Sequence, residues 1–384
     1  MWVGSGKAII GTQQVSWPCL GLSQPCCPIM AGWGSKRCVV VVFCWCIMQL
    51  ACGDCAAVHE QRKKRKAERE GGKKKQQWWN NKKKKKLLKR KNGRGRGKEE
   101  VNKQEEEALG REWWKLSHEA VGVITAVGPG LTDIKVGDVV AYAGNPMGSY
   151  AEEQILPASV VVPVPPSIDP VVAASVVLKG MTVQYLVRRC FKVERGHTVL
   201  VHAAAGGVGS LLCQWALSLG ATVIGTVSNE AKAAQAVEDG CHHVIVYTKE
   251  DFVSSVNKIT SGRGVNVVYD SVGKDTFQGS LACLKCRGYM VSFGQSSGIS
   301  DPVSLSALAP KSLFLTRPSL MQYNESREEL LECAGEVFAK VGAGLLKVRV
   351  NHRYPLSRAA QAHADLESRK TTGSVVFIPD SDYE

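Results

Sequence analysis

From about residue 170 onward, short apolar runs alternate with amphipathic stretches. "HTVLVHAAA" (197–205) predicts a buried strand, "SLLCQWALSLG" (210–220) a helix closed by glycine, and "ATVIGTVS" (221–228) a second strand. "NEAKAAQAVEDG" (229–240) predicts a helix, "HHVIVY" (242–247) a strand, "EDFVSSVNKIT" (250–260) a helix and "VNVVYDSVG" (265–273) a strand. "TFQGSLACL" (276–284) and "GYMVSFG" (288–294) add one more helix and strand. Strict alternation of this kind specifies an α/β fold built on a doubly wound parallel sheet.

Upstream the texture differs. "AVGVITAVGPG" (120–130) reads as a strand closed by a Gly-Pro-Gly turn, and "KVGDVVAYAG" (135–144) as a turn and a second strand. "SYAEEQILPASVVVPVPPSI" (149–168) continues as short strands broken by prolines, so this segment is all-β. After residue 310, "REELLECAGEVFAKVGAG" (327–344) and "AAQAHADLESR" (359–369) predict helices, and "GSVVFIP" (373–379) a closing strand.

Residues 1–112 follow no such pattern. Their one strongly apolar run, "CVVVVFCWCIMQLA" (38–51), is shorter than the ~20 residues a membrane-spanning helix needs. A membrane anchor is the lesser reading, since Lys36 and Arg37 precede the run and a basic tract follows it. Residues 62–98 hold 20 Lys or Arg against two Glu, a surplus larger than the +14 of the whole chain, so the remainder is mildly acidic. The tract predicts a disordered, self-repelling segment. Trp78 and Trp79 among the charges leave a weak nucleic-acid contact as the alternative. The six cysteines beyond residue 112 (Cys190, Cys213, Cys241, Cys283, Cys286, Cys333) form no regular framework, which predicts free thiols.

The glycine cluster "HAAAGGVGS" carries the candidate chemistry. Ala204, Gly206 and Gly209 take the three spaced positions of a dinucleotide fingerprint between a strand and a helix, with Gly207 and Val208 inside the loop. The first position is Ala, so the motif is a variant, and a simple tight turn is the competing reading. An NAD site would place a carboxylate at the end of the next strand. Ser228 stands there, with Asn229 and Lys232 after it, and a hydroxyl with an ammonium suits a 2′-phosphate. The expected cofactor is therefore NADP(H), with Glu230 as the discordant charge.

In order along residues 119–379, "EAVGVITAVGPGLTDIKVGDVVAY", "LKGMTVQYLVRR", "VLVHAAAGGVGSLLCQWA", "VVYDSVG", "MVSFGQSSG", "LTRPSL" and "LESRKTTGSVVFIP" resemble the zinc-independent NADPH:quinone oxidoreductases. These are the zeta-crystallin-like branch of the medium-chain dehydrogenase/reductase superfamily. The resemblance implies a Rossmann domain inserted in a GroES-like β domain: after an atypical, basic and disordered 1–112 come 113–175, the first GroES-like part with its N-terminal portion incomplete, 176–315, the Rossmann domain, and 316–384, the return. It implies reduction of quinones or enones by hydride transfer and a homodimer; the cytoplasm is the default location, with an organelle left open. It also implies that Ser228, Lys232 and Tyr247 surround the adenosine 2′-phosphate, and that Thr182, Tyr185, Phe293, Gly294 and Ser296 lie along the cofactor. Arg317 and Arg369 fall in family motifs near the cleft. The family's N-terminal strands find no counterpart in residues 1–112, and no general acid is assigned.

His118, in "SHEAVG" (117–122), raises a zinc alcohol dehydrogenase as the rival. Catalytic zinc needs three protein ligands. No upstream cysteine stands in a suitable strand, and Cys283 and Cys286 form a single CxxC, so no metal is expected. A non-catalytic, crystallin-like NADPH- or RNA-binding protein is the rival from another class.

Overall fold

The computed structural model describes residues 38–47, 117–368 and 370–383, the first of these through the backbone. Two sheets organise them. The first has seven strands: β1 (Cys38–Ile47), β2 (Glu119–Val127), β3 (Val139–Ala143), β4 (Glu153–Pro157), β5 (Val162–Pro163), β12 (Val350–Pro355) and β13 (Ser374–Ile378). Their order is β12-β13-β1-β2-β3-β5, with β4 also paired to β1.

The position of β1 was not foreseen. The apolar run weighed as a disordered segment or a membrane anchor is a central strand, antiparallel to β2 from Val39↔Val127 to Cys46↔Ala120. Its other edge pairs with β4 over Cys38–Val42 and then with β13 at Cys46↔Phe377. Ten residues dominated by valine are too few to cross a bilayer as a helix and ample for a strand paired on both edges. The basic tract and the rest of residues 1–112 lie outside the described residues.

The second sheet is parallel: β6 (Thr198–Val201), β7 (Thr222–Val227), β8 (His243–Val246), β9 (Val265–Asp270), β10 (Leu284–Ser292) and β11 (Phe314–Thr316). The order β11-β10-β9-β6-β7-β8 reverses direction between β6 and β9. That switch point opens a crevice beyond the carboxyl ends of the two strands. The connecting helices are α2 (Gly207–Ser218), α3 (Glu230–Glu238), α4 (Phe252–Ile259) and α5 (Phe277–Cys283). Near the C-terminus follow α6 (Leu320–Tyr323), α7 (Arg327–Gly342) and α8 (Ala359–Glu367).

Helix α1 (Pro170–Tyr185) joins the two halves, packing on β2 and β3 and also on α2 and α7. Asp169 caps it by accepting from the N–H groups of Val171 and Val172, at 2.7 and 3.2 Å, and Pro170 sits in its first turn. Pro170–Cys190 is the one segment among the described residues long and apolar enough to cross a membrane, but 78% of an 18-residue window within it is buried inside the fold. Around it Trp215, Leu186 and Tyr269 are fully buried. The Tyr269 hydroxyl donates to the Leu186 carbonyl at 3.2 Å, so this buried phenol is satisfied. The CxxC does not share one helix: Cys283 ends α5 and Cys286 lies in β10.

Candidate functional site

The loop after β6 is built for close approach by a ligand. Ala203 adopts φ +52°, turning the chain so that its carbonyl accepts from the Gly206 N–H at 2.8 Å. A Cβ on Gly209 would stand 2.2 Å from that same carbonyl oxygen, so only glycine lets α2 seat against β6. Gly206 is the helix N-cap and carries no capping side chain. The N–H groups of Gly207, Val208 and Gly209 therefore occupy a first turn with no intrahelical acceptor, at the positive end of the helix and beside the switch point. Gly206 and Gly207 face solvent. This arrangement can receive an anion, as the dinucleotide reading of the loop expects, while a tight turn between strand and helix would have the same glycines.

A buried network holds the floor of the crevice. The ring of His202 lies 2.9 Å from Thr226 Oγ1 through Nδ1 and 3.0 Å from Ser280 Oγ through Nε2. Ser280 donates to Asp270 Oδ2 at 3.0 Å. Asp270 Oδ1 accepts from the N–H groups of Val272 and Gly273 at 2.8 and 2.9 Å, fixing the loop after β9. Burial lowers the His202 pKa, with Asp270 opposing, so the imidazole is held neutral.

A second buried group lies directly behind the glycine loop. Lys179 of α1 donates to Ser374 Oγ at 2.6 Å, and its chain would lie 2.9 Å from a Cβ on Gly207. Glu119, the first residue of β2, accepts from the Leu178 N–H at 3.1 Å, while its other oxygen has no partner. Burial raises the Glu119 pKa to about 7 against the opposing pull of Lys179, and burial lowers that of Lys179. The two groups tie α1 to β2 and β13, with the Lys179 chain packed behind Gly207. Sequence reasoning missed them, although a lysine inside "ASVVLKGM" was a signal: buried lysines require a partner.

Beyond the carboxyl end of β7 stand the residues expected at a 2′-phosphate. Ser228 follows the strand half-buried, Asn229 caps α3 by accepting from the Lys232 N–H at 3.0 Å, and the Tyr247 N–H donates to the Val227 carbonyl at 3.1 Å. Tyr247 and Lys232 are exposed. The discordant Glu230 is engaged by Lys249 at 2.6 Å, so its charge is neutralised locally by a residue the sequence reading had not singled out.

A third cluster lines the other side. Tyr185 is buried and stacked on Tyr323 with ring centroids 4.6 Å apart, and burial pushes its hydroxyl pKa up. Arg317 interacts electrostatically with Tyr185 and donates to the carbonyls of Ser292 and Gly294 at 2.9 and 3.1 Å. The Phe293 and Gly294 N–H groups donate to the Asp270 carbonyl, and the Ser296 N–H to that of Ser271 at 3.1 Å. Gly294 is compelled by proximity: a Cβ would meet the Ser271 carbonyl at 2.6 Å. The Thr182 hydroxyl donates within its own helix to the Leu178 carbonyl at 2.8 Å. Arg369 lies outside the described residues. His118 is half-buried, and among the described residues no three His, Cys, Asp or Glu side chains converge as metal ligands.

Comparison with known proteins bears on these features. An alcohol dehydrogenase GroES-like domain profile matches residues 97–166, and a zinc-binding dehydrogenase profile matches 207–336. A 2-haloacrylate reductase of a Burkholderia species is 46% identical over 268 residues, covering 69% of this chain and 80% of the relative. Quinone oxidoreductase 1 of Escherichia coli is 46% identical over 267 residues, covering 69% and 82%. The crystal structure of the Escherichia coli quinone oxidoreductase complexed with NADPH superposes with a TM-score of 0.66 at 46% identity, covering 68% of this chain and 81% of that one.

Proposed function

Because the chain belongs to the quinone oxidoreductase family of the medium-chain dehydrogenase/reductase superfamily, we propose that it is an NADPH-dependent reductase of quinones or related electron-poor enones, working without zinc. The observation that carries this reading is the uncapped first turn of α2 at the sheet's switch point, where a Cβ at Gly209 would close the seat. Bound there, the nicotinamide cofactor supplies the hydride.

The chain's own groups bind and orient. The N–H groups of Gly207, Val208 and Gly209 hold the diphosphate. Ser228, Lys232 and Tyr247 hold the 2′-phosphate end, with Lys249 keeping Glu230 from repelling it. The stretch Phe293–Ser296, anchored on Asp270 and Ser271, and the side chains of Tyr185 and Arg317 line the path toward the substrate. Positioning of the acceptor is the principal catalytic contribution, and solvent protonates the reduced oxygens. Arg369 is assigned to the cofactor by family likeness alone, and Thr182 of α1 lies along the cofactor.

The domain division we adopt is residues 113–175 and 316–384 for the GroES-like part, to whose sheet β1 is added, and 176–315 for the Rossmann part. The outer edge of β11, with Phe314 50% and Leu315 37% exposed, supports a homodimer. We place the protein in the cytoplasm. The test is oxidation of NADPH against NADH by the full chain with an ortho-quinone acceptor. Turnover favouring NADPH is expected. Equal use of both cofactors would overturn the 2′-phosphate assignment, and absence of turnover the reductase assignment.

A further inference from the structure

Cys213, in the middle of α2, and Cys241, just before β8, lie with their sulfurs 3.4 Å apart. Both are buried, Cys213 completely and Cys241 to 6% exposure. The proposed reduction uses neither. Their surroundings are arranged around the sulfurs: a Cβ on Gly225 of β7 would stand 2.6 Å from Cys241 Sγ and 2.7 Å from Ala204 Cβ. The glycine in mid-strand thus leaves room for the thiol beside the cofactor loop. Gly240, at φ +100°, turns the chain after α3, and the Cys241 N–H then donates to the Ala236 carbonyl at 2.9 Å, which fixes the cysteine where it faces α2. No third metal-ligating side chain joins the pair among the described residues, so its chemistry is that of two thiols.

We propose that Cys213 and Cys241 are an oxidation site that closes to a reversible disulfide when the protein meets hydrogen peroxide. Cys241 is the side reached first, because it alone of the two retains surface exposure. The neighbouring Cys241 sulfur, and then burial, push the Cys213 thiol well above the ordinary range. The Cys241 sulfur attacks the peroxide: an S–O bond forms, the O–O bond breaks and one water leaves, giving the sulfenic acid. The Cys213 sulfur then displaces the hydroxyl as a second water, and the S–S bond forms. Two thiols have lost two electrons and two protons, and the peroxide has become two waters. The sulfurs need approach each other by only a little over ~1 Å to reach bonding distance.

The test uses the full chain, reduced and then exposed to graded hydrogen peroxide. Remaining thiols are alkylated under denaturing conditions, and the digest is mapped by mass spectrometry. The expected result is a cross-linked peptide joining Cys213 to Cys241, two hydrogens lighter than its parts and reopened by dithiothreitol. Exposed Cys286 serves as the internal marker of peroxide dose. In Cys241→Ala the cross-link is absent and Cys213 stays alkylatable; if that variant does not fold, the wild-type map alone decides. Peroxide that oxidises Cys286 and leaves both Cys213 and Cys241 alkylatable, or that bridges either one to a different cysteine, overturns the proposal.

Discussion

Replacing Gly209 by alanine tests the anion seat most directly. The added methyl would lie 2.2 Å from the Ala203 carbonyl oxygen and 3.0 Å from both the Ala203 carbonyl carbon and Ala204 Cα, all backbone atoms. Backbone cannot rotate out of the way as a side chain can, so β6 and α2 must part by roughly 1 Å, an overpacking that costs about 1–3 kcal/mol of stability. The same displacement carries the first-turn N–H groups off the diphosphate. A hydrogen bond to a charged group contributes about 1.5–3 kcal/mol, so losing one weakens NADPH binding by roughly 10- to 150-fold. Calorimetric titration of NADPH, with thermal unfolding alongside, reads both effects. Gly335→Ala is the control: Gly335 is exposed in mid-α7 with nothing within 4 Å of an added methyl. It should gain about 0.5–1 kcal/mol and leave binding unchanged. A Gly209→Ala protein that binds NADPH within about twofold of wild type would refute the seat, since a tenfold loss corresponds to only ~1.4 kcal/mol.

Three other outcomes are expected. Lys179→Met loses the 2.6 Å bond to Ser374 and the charge facing Glu119, costing about 2 kcal/mol in urea unfolding. Combined with Glu119→Gln it should cost less than the two single changes together, and strict additivity would show that the pair is uncoupled. His363, 3.2 Å from the Tyr150 hydroxyl, has its pKa lowered by burial to about 4 from an ordinary 6.5. Its stabilising contribution is therefore complete above pH 6.5 and lost as pH falls through 4. His363→Gln should flatten the pH–stability curve in that window by about 1–2 kcal/mol after allowance for partial exposure, and an unchanged slope would contradict this. Val41→Pro removes a backbone donor from a strand paired to both β2 and β4, and should destabilise the first sheet by about 3 kcal/mol or more, seen as a lower unfolding midpoint. A stability equal to wild type would remove β1 from the sheet.

The parallel sheet was legible because its signal is periodic and local: each run from 197 to 294 is one strand or one helix, and glycines mark the joints. The helix beginning at Gly207 was read three residues late, since glycines look like loop until an uncapped first turn requires them. Ser228 was legible at its place after β7 because strand ends are predictable, whereas Tyr247 entered only through the family resemblance. Lys249 was not, because its role depends on a partner 19 residues away in sequence. Lys179 and Glu119 meet only when α1 crosses from one sheet to the other, which no window of sequence reveals. Strand β1 was hidden for the same reason. Its pattern is visible, but the partners that make it a strand are remote from it in the chain.

That remoteness has a consequence for how the protein is made. Cys46 pairs with Phe377 about 330 residues later, so the sheet that frames one wall of the cleft cannot close on a nascent chain until its last strand has left the ribosome. The parallel sheet, complete by residue 316, has all its strands in hand well before then. A premature stop near the C-terminus and a defect in the apolar run near the N-terminus should therefore leave the same product: a folded nucleotide-binding half with an unclosed partner exposing its apolar face, a natural target for chaperones and proteases.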